Sequence, residues 1–285
     1  MSQHRGRLIA ASLGPGDEGL ITRKAWQALQ SDALWCYPVR RKGGSSHALG
    51  IVQRTELSTP HDAMELVFPM THDTEVLSRA WARAAAQIVP VLQAGRDVVF
   101  LVEGDASTFS TFTYLARFVG QSDVNIVVEI IAGVPSYHAA AASAAIPLAE
   151  TDDMVAIVPA GYGVAELEHL LPHFDTLVLL KVKPLLDDII RWLSDNDLLE
   201  HAIFIEKAGA PEERMIRNVA SLAGETVNYL SLILVRNRNR QRGTMIRGCK
   251  KKDGVVENPA FRLSRDKKRA ATVKRSAPHG ESYDK

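Results

Sequence analysis

The sequence is poor in the residues that would staple a fold or hold a metal. It contains two cysteines, Cys36 and Cys249, too few for a disulfide framework or a thiolate zinc site. Of its nine histidines only His169 and His173 stand at H-x-x-x-H spacing, where they bracket a helix end and show no partner, and there is no C-x-x-C, so no protein-bound metal is expected. No apolar run approaches the roughly 18 residues that a membrane span requires. No charged-then-apolar signal segment opens the chain, and a reducing cytoplasm is the expected setting. A glycine-rich phosphate loop with its lysine is also missing. The turn after the strongest apolar strand reads "EGDAS", with carboxylates where a nucleotide-phosphate site would place a cation.

Enough apolar side chain is present to build cores: 46% of the 285 residues are hydrophobic, which suits one large or two small domains. Net charge is +1, but it is unevenly spread. From Arg236 to Lys285 the chain carries sixteen Lys/Arg against five Asp/Glu, whereas the preceding residues carry 18 against 28. The body is acidic and the end is basic. Segments such as "RNRNRQRG" lack the aromatic interleaving of an RNA-binding module, so nucleic acid is not an expected partner and the basic end reads as a solvated extension.

Short apolar runs alternate with helical patterns, the signature of an α/β fold. "RLIAASL", "ALWCYPV", "AMELVFPM", "DVVFLVEGD" and "VNIVVEIIAG" predict strands in the first half. "DMVAIVPA", "TLVLLKV", "AIFIEKAG" and "NYLSLILV" predict them in the second. Between them, helices are expected over "LITRKAWQALQSD" with Thr22 as a cap, His72–Ala94, the alanine-rich "VPSYHAAAASAAI", Val164–Leu171, Leu185–Ser194 and Glu212–Ala223. A domain change is placed near Ala132–Ile146, giving expected units of 1–131 and 132–236, with the folded body ending near Val235 and a basic tail over 237–285.

In open α/β sheets ligands sit outside the carboxyl ends of the strands, where "GPGD" (Gly14–Asp17) and "EGDAS" (Glu103–Ser107) both fall. Carboxylates there suit ribose hydroxyls or a positively charged group better than phosphate. A cationic nucleoside without phosphates, such as S-adenosylmethionine (SAM), fits that description.

Four segments in order, "LGPGDEGLITRKAWQAL", "VEGDASTFSTFTYL", "IAGVPSYHAAAASAAIPLAE" and "NYLSLILV", resemble the tetrapyrrole (uroporphyrin-III C/corrin) methyltransferase family over about Arg7–Arg236. "GGSSHAL", "ELVFPMTHD" and "EGDASTFSTFTYL" are similar to its precorrin-2 C20-methyltransferase branch. The resemblance implies a parallel N-terminal sheet and a mixed C-terminal sheet with SAM in the cleft between, a homodimer, and methyl transfer to C20 of precorrin-2 or cobalt-factor II in cobalamin biosynthesis. Carried over by position, it implies SAM contacts at Pro15, Glu103, Gly104, Asp105, Thr108, Pro135, Ser136, Leu180 and Ala208, with Asp105 foremost. Ala106, Ala132 and Leu180 depart from the family's usual residues.

The substrate's acetate and propionate groups call for donors, and Arg40, Arg41 and Lys42 are the candidates, with Met70 and Thr71 expected against the macrocycle. Glu103 and His47 are candidate proton acceptors, and the sequence does not choose between them. Two alternatives stay open at this level: a methyltransferase of the same scaffold acting at another ring position or on rRNA ribose, and a protein that binds SAM or tetrapyrrole without turnover.

Overall fold

The structure is a computed structural model that describes residues 4–240 and Arg242. The chain divides into a compact unit, Met1–Gln241, and a second unit, Arg242–Lys285. Most of the expected basic tail, Cys249 included, lies outside the described residues. No described helix is long and apolar enough to cross a membrane.

The first sheet is wholly parallel. It contains β1 (Leu8–Ser12), β2 (Leu34–Val39), β3 (Met64–Val67), β4 (Val98–Val102) and β5 (Val128–Ile131), in the order β3-β2-β4-β1-β5. The central strands β1 and β4 are buried along their whole length, which is why they read as unbroken apolar runs. Their side chains alternate between two cores. Leu8, Ala10, Val98 and Phe100 face α3 (Thr74–Gln93) and α4 (Phe112–Ser122), while Ile9, Ala11, Val99 and Leu101 face α1 (Arg23–Leu29) and α2 (His47–Val52). Each fully buried Ile or Leu, such as Ile88 and Leu92 of α3, contributes roughly 1.5–3 kcal/mol. Side chains cap the starts of α1 and α3: the Thr22 hydroxyl accepts from Ala25 N–H, and the Asp73 carboxylate from the N–H groups of Glu75 and Val76.

The chain then enters α5 (Ser136–Ser143) and the second sheet. Its strands are β6 (Val155–Pro159), β7 (Thr176–Leu180), β8 (Ala202–Glu206), β9 (Arg214–Ile216) and β10 (Ser231–Arg236), in the order β6-β7-β10-β8-β9. Only the β6–β7 pair is parallel. Tyr137, Ala140, Ala141 and Ala144 pack on one face of this sheet, against Val178, Ile203, Ile205 and Leu234. Alanine lets the helix approach closely. The other face carries α6 (Val164–Leu170) and α7 (Leu186–Asp195), closed over Leu177, Leu179, Phe204 and Ile233.

Two expectations are corrected. The segment Glu212–Ala223 is not a helix: Arg214–Ile216 pairs antiparallel with β8, and only Val219–Leu222 makes a short 3-10 turn. The open edge of β8 supplies backbone partners that a surface helix would leave unpaired, and Arg214 anchors the new strand through Glu206 and Glu225. The folded body also runs past Val235. Asn237 is buried; its side chain donates to the carbonyls of Leu171 (2.7 Å) and Phe174 (3.1 Å), at the end of α6, and its N–H donates to the Asp175 carbonyl (2.8 Å). Arg240 forms an ion pair with Asp175.

A chain ending at Arg236 is therefore expected to lose about 1–3 kcal/mol relative to one ending at Arg242. Denaturant unfolding of the two truncations checks this, and identical midpoints would show that Asn237 and Arg240 contribute nothing.

Candidate active site

Three parallel strands deliver their carboxyl ends to one place, and their loops are tied together there. Gly14, after β1, and Gly104, after β4, exchange backbone hydrogen bonds of 3.2 and 2.7 Å. The Ser12 hydroxyl accepts from Ala106 N–H at 2.9 Å. Gly133, after β5, lies so close that a Cβ there would stand 2.4 Å from Ser12 Cβ and 2.6 Å from the Gly104 carbonyl oxygen. No larger residue fits without moving backbone. The loop after β1 also touches the second sheet, since a Cβ on Gly16 would stand 2.7 Å from the backbone nitrogen of Ala210, beyond β8.

Asp105 completes this stitching. One carboxylate oxygen accepts from Gly133 N–H at 2.7 Å, and the other from Ser107 N–H at 2.9 Å and from the Ser107 hydroxyl. Burial pushes its carboxyl up, but these bonds and one from Thr108 outweigh burial and hold it below the usual carboxylate range. The residue expected to lead ligand contact thus spends its oxygens on holding two loops together.

Beside it lies a cavity of about 190 Å³ between the two sheets. Of the nine expected SAM contacts, Pro15, Glu103, Gly104, Thr108, Ser136, Leu180 and Ala208 line it. Asp105 and Pro135 do not line it; Pro135 stands at the start of α5. The wall also contains Phe109, Tyr137, Tyr229, Leu230, Ser231 and Leu232, which lie in the family-like segments without being assigned a contact there, and Lys181 and Lys207, which the sequence does not single out. Lys181 and Lys207 directly follow β7 and β8 with φ of 58° and 51°, a left-handed conformation that non-glycine residues seldom adopt. A lysine ending a buried strand is the one signal the sequence offers for them.

A second, open cavity of about 550 Å³ shares Lys207, Tyr229 and Leu230 with the first. Arg40, His47 and Lys183 line it, opposite Glu206 and Asn228. Ligand sites commonly span roughly 300–1,000 Å³, so the smaller cavity is tight and the larger falls within that range. Of the five expected substrate contacts, Arg40 is in this wall. Arg41, Lys42, Met70 and Thr71 line neither cavity. Thr71 accepts a hydrogen bond from Asp73 N–H at the lead-in to α3, and Met70 is exposed.

The ionisable groups differ sharply. Burial pushes the Glu103 carboxyl up to about 7, with Arg40 partly opposing it. Burial lowers the basicity of His47, and Arg40 and Lys207 lower it further. Among the described residues no group of three or more His, Cys, Asp or Glu is placed to hold a metal ion. The cavity pair offers apolar walls (Pro15, Leu180, Ala208, Leu232) for an adenine, a carboxylate for hydroxyls or a cation, and ammonium groups for a carboxylate.

Because the Glu103 carboxyl titrates above its unfolded value, its contribution to stability is full at low pH and is lost as pH rises through about 7. Glu103→Gln removes that loss, and is expected to raise stability at pH 8 by up to about 3 kcal/mol, with the gain shrinking toward pH 5. Thermal unfolding of both proteins across pH 5–9 checks this; parallel curves would refute it.

Comparison with known proteins gives this geometry a context. Residues 7–223 match the family described as Tetrapyrrole (Corrin/Porphyrin) Methylases. The chain is 35% identical over 236 residues to the cobalt-precorrin-2 C(20)-methyltransferase of Salmonella typhimurium, covering 81% of this chain and 96% of that protein. It is 29% identical over 242 residues to the precorrin-2 C(20)-methyltransferase of a Sinorhizobium species, covering 81% and 95%. The fold is similar to a solved uroporphyrin-III C-methyltransferase from Thermus thermophilus complexed with S-adenosyl homocysteine, with a TM-score of 0.56, 20% identity, and 81% and 92% of the two chains covered. With a parallel sheet and a mixed sheet meeting at a shared cleft, and a family match over most of its length, the chain belongs to the tetrapyrrole methylases.

Proposed function

We propose that the protein transfers a methyl group from SAM to C20 of precorrin-2, free or carrying cobalt, in corrin biosynthesis. The observation that carries the reading is a pair of cavities with a common wall: a small one at the ends of β1 and β4, and an open cationic one sharing Lys207, Tyr229 and Leu230 with it. SAM occupies the first and the tetrapyrrole the second. The 35% identity to a cobalt-precorrin-2 C(20)-methyltransferase, along nearly all of that protein, supports the choice of substrate and position.

The chemistry asks mainly for placement. A sulfonium is an activated methyl donor, and C20 of a reduced tetrapyrrole is an enamine-like carbon nucleophile. Holding carbon, methyl and sulfur in line in a cleft that excludes water supplies most of the acceleration. Pro15, Leu180 and Ala208 wall the nucleoside, while Arg40, Lys183 and Lys207 meet the acetate and propionate groups. Cobalt, where present, arrives with the substrate, and the reading requires no protein-bound metal. A homodimer is the proposed assembly.

Anaerobic incubation with SAM and either precorrin-2 or its cobalt form is expected to add one methyl, at C20, read by product mass and regiochemistry. Methylation at another carbon would move the protein to a different branch, and SAM binding without methyl transfer would overturn the enzymatic reading. Lys183 lines only the open cavity, so Lys183→Met is expected to raise KM for the tetrapyrrole about tenfold or more while leaving SAM affinity unchanged. An unchanged KM would remove Lys183 from the substrate wall.

A further inference from the structure

Two carboxylates sit two residues apart in one turn, with opposite surroundings. Asp105 accepts hydrogen bonds from Gly133, Ser107 and Thr108. Glu103 lines the smaller cavity, and no described residue donates a hydrogen bond to it. It is the only carboxylate among the described residues lining that cavity. Such a pair, held in contrasting environments, divides structural from chemical duty.

We propose, building on the methyl-transfer reading above, that Glu103 is the catalytic base that takes the proton displaced from C20. The C20 electron pair forms the new bond to the methyl carbon as the sulfur–methyl bond breaks, its pair remaining on sulfur to give the neutral thioether. C20 then carries both hydrogen and methyl, and the macrocycle carries the positive charge. The C20–H bond breaks, its electrons restore conjugation, and the proton passes to the Glu103 carboxylate and on to water.

The surroundings favour this carboxylate over other groups. The ionisable side chains that share its cavity are Lys181, after β7, Lys207, after β8, Tyr137, on α5, and Tyr229, before β10. Lysine and phenol side chains in their ordinary states are proton donors. Arg40, after β2, acts on Glu103 electrostatically and is a permanent cation. His47 faces the open cavity, where burial, Arg40 and Lys207 all weaken it as a base. Burial makes Glu103 a stronger base than an ordinary glutamate, suited to work near neutral pH.

The test uses the full chain, SAM and whichever form of precorrin-2 the wild type methylates. With SAM held saturating, whatever the variant's affinity for it, Glu103→Gln is expected to lose at least about 100-fold in kcat. Wild-type kcat should rise with pH through an inflexion close to 7, because the ionised carboxylate is the active form, and this inflexion should vanish in Glu103→Gln. Arg40→Met keeps the base but removes the cation that holds it down, so its inflexion should move to higher pH. Deuterium at C20 should slow the residual turnover of Glu103→Gln, since proton removal then limits the rate.

Unchanged kcat and pH profile in Glu103→Gln would overturn the assignment while leaving C20 methylation standing. So would an Arg40→Met inflexion that stays in place, even if Glu103→Gln failed to fold. Absence of methylation by the wild type on either substrate would overturn the parent reading, and this assignment with it.

Discussion

The hydrogen bond from Gly133 N–H to the Asp105 carboxylate joins the loops after β4 and β5, and the site depends on it. Parallel strands end side by side, but their loops diverge unless something holds them. Here a buried carboxylate with several donors does so, and a hydrogen bond to a charged group is worth roughly 1.5–3 kcal/mol. The contact is close because Gly133 has no side chain to separate it from Ser12 and Gly104. The Gly14–Gly104 backbone pair adds the loop after β1. With three loops fixed, the Glu103 side chain has a defined wall from which to face the cavity, and Thr108 and Ser136 have fixed positions in the same wall.

Much of the fold is legible in the sequence because burial writes itself into period and composition. β1 and β4 are covered on both faces, so their apolar runs are continuous. β9 escapes such a reading because its three residues carry no period long enough to see, and its state is set by the open edge of β8, a feature of the folded sheet. Asn237 looks in sequence like the start of a solvated basic run, yet it meets carbonyls at the end of α6. Local composition cannot report a partner more than sixty residues away.

The site is legible at the strand ends and illegible in the substrate wall. Seven positions carried over by resemblance share one cavity, and four of them, Pro15, Glu103, Gly104 and Thr108, follow the parallel strands β1 and β4, where turns have few ways to be built. The same resemblance puts Asp105 at the ligand, where the geometry instead spends its oxygens on Gly133 and Ser107. Arg40, Arg41 and Lys42 are equivalent as a basic triplet, and only the direction of the loop after β2 separates Arg40 from its neighbours. Lys181, Lys183 and Lys207 come from turns far along the chain, so no local charge cluster announces them.

The placement of these cations answers an electrostatic problem. The first 235 residues carry 18 basic and 28 acidic side chains, so the body as a whole repels a polycarboxylate. At physiological ionic strength, screening over about 8 Å confines that repulsion to short range. A local cluster can therefore dominate, and Arg40, Lys183 and Lys207 share one open cavity with a single opposing carboxylate, Glu206. Lys207 also borders the smaller cavity, where, on the proposed reading, a cationic methyl donor becomes neutral as it reacts. A fixed positive charge there disfavours the sulfonium more than the neutral thioether, and so favours the direction of transfer. On that reading, the side chain that meets the substrate's carboxylates also raises the donor's tendency to give up its methyl group.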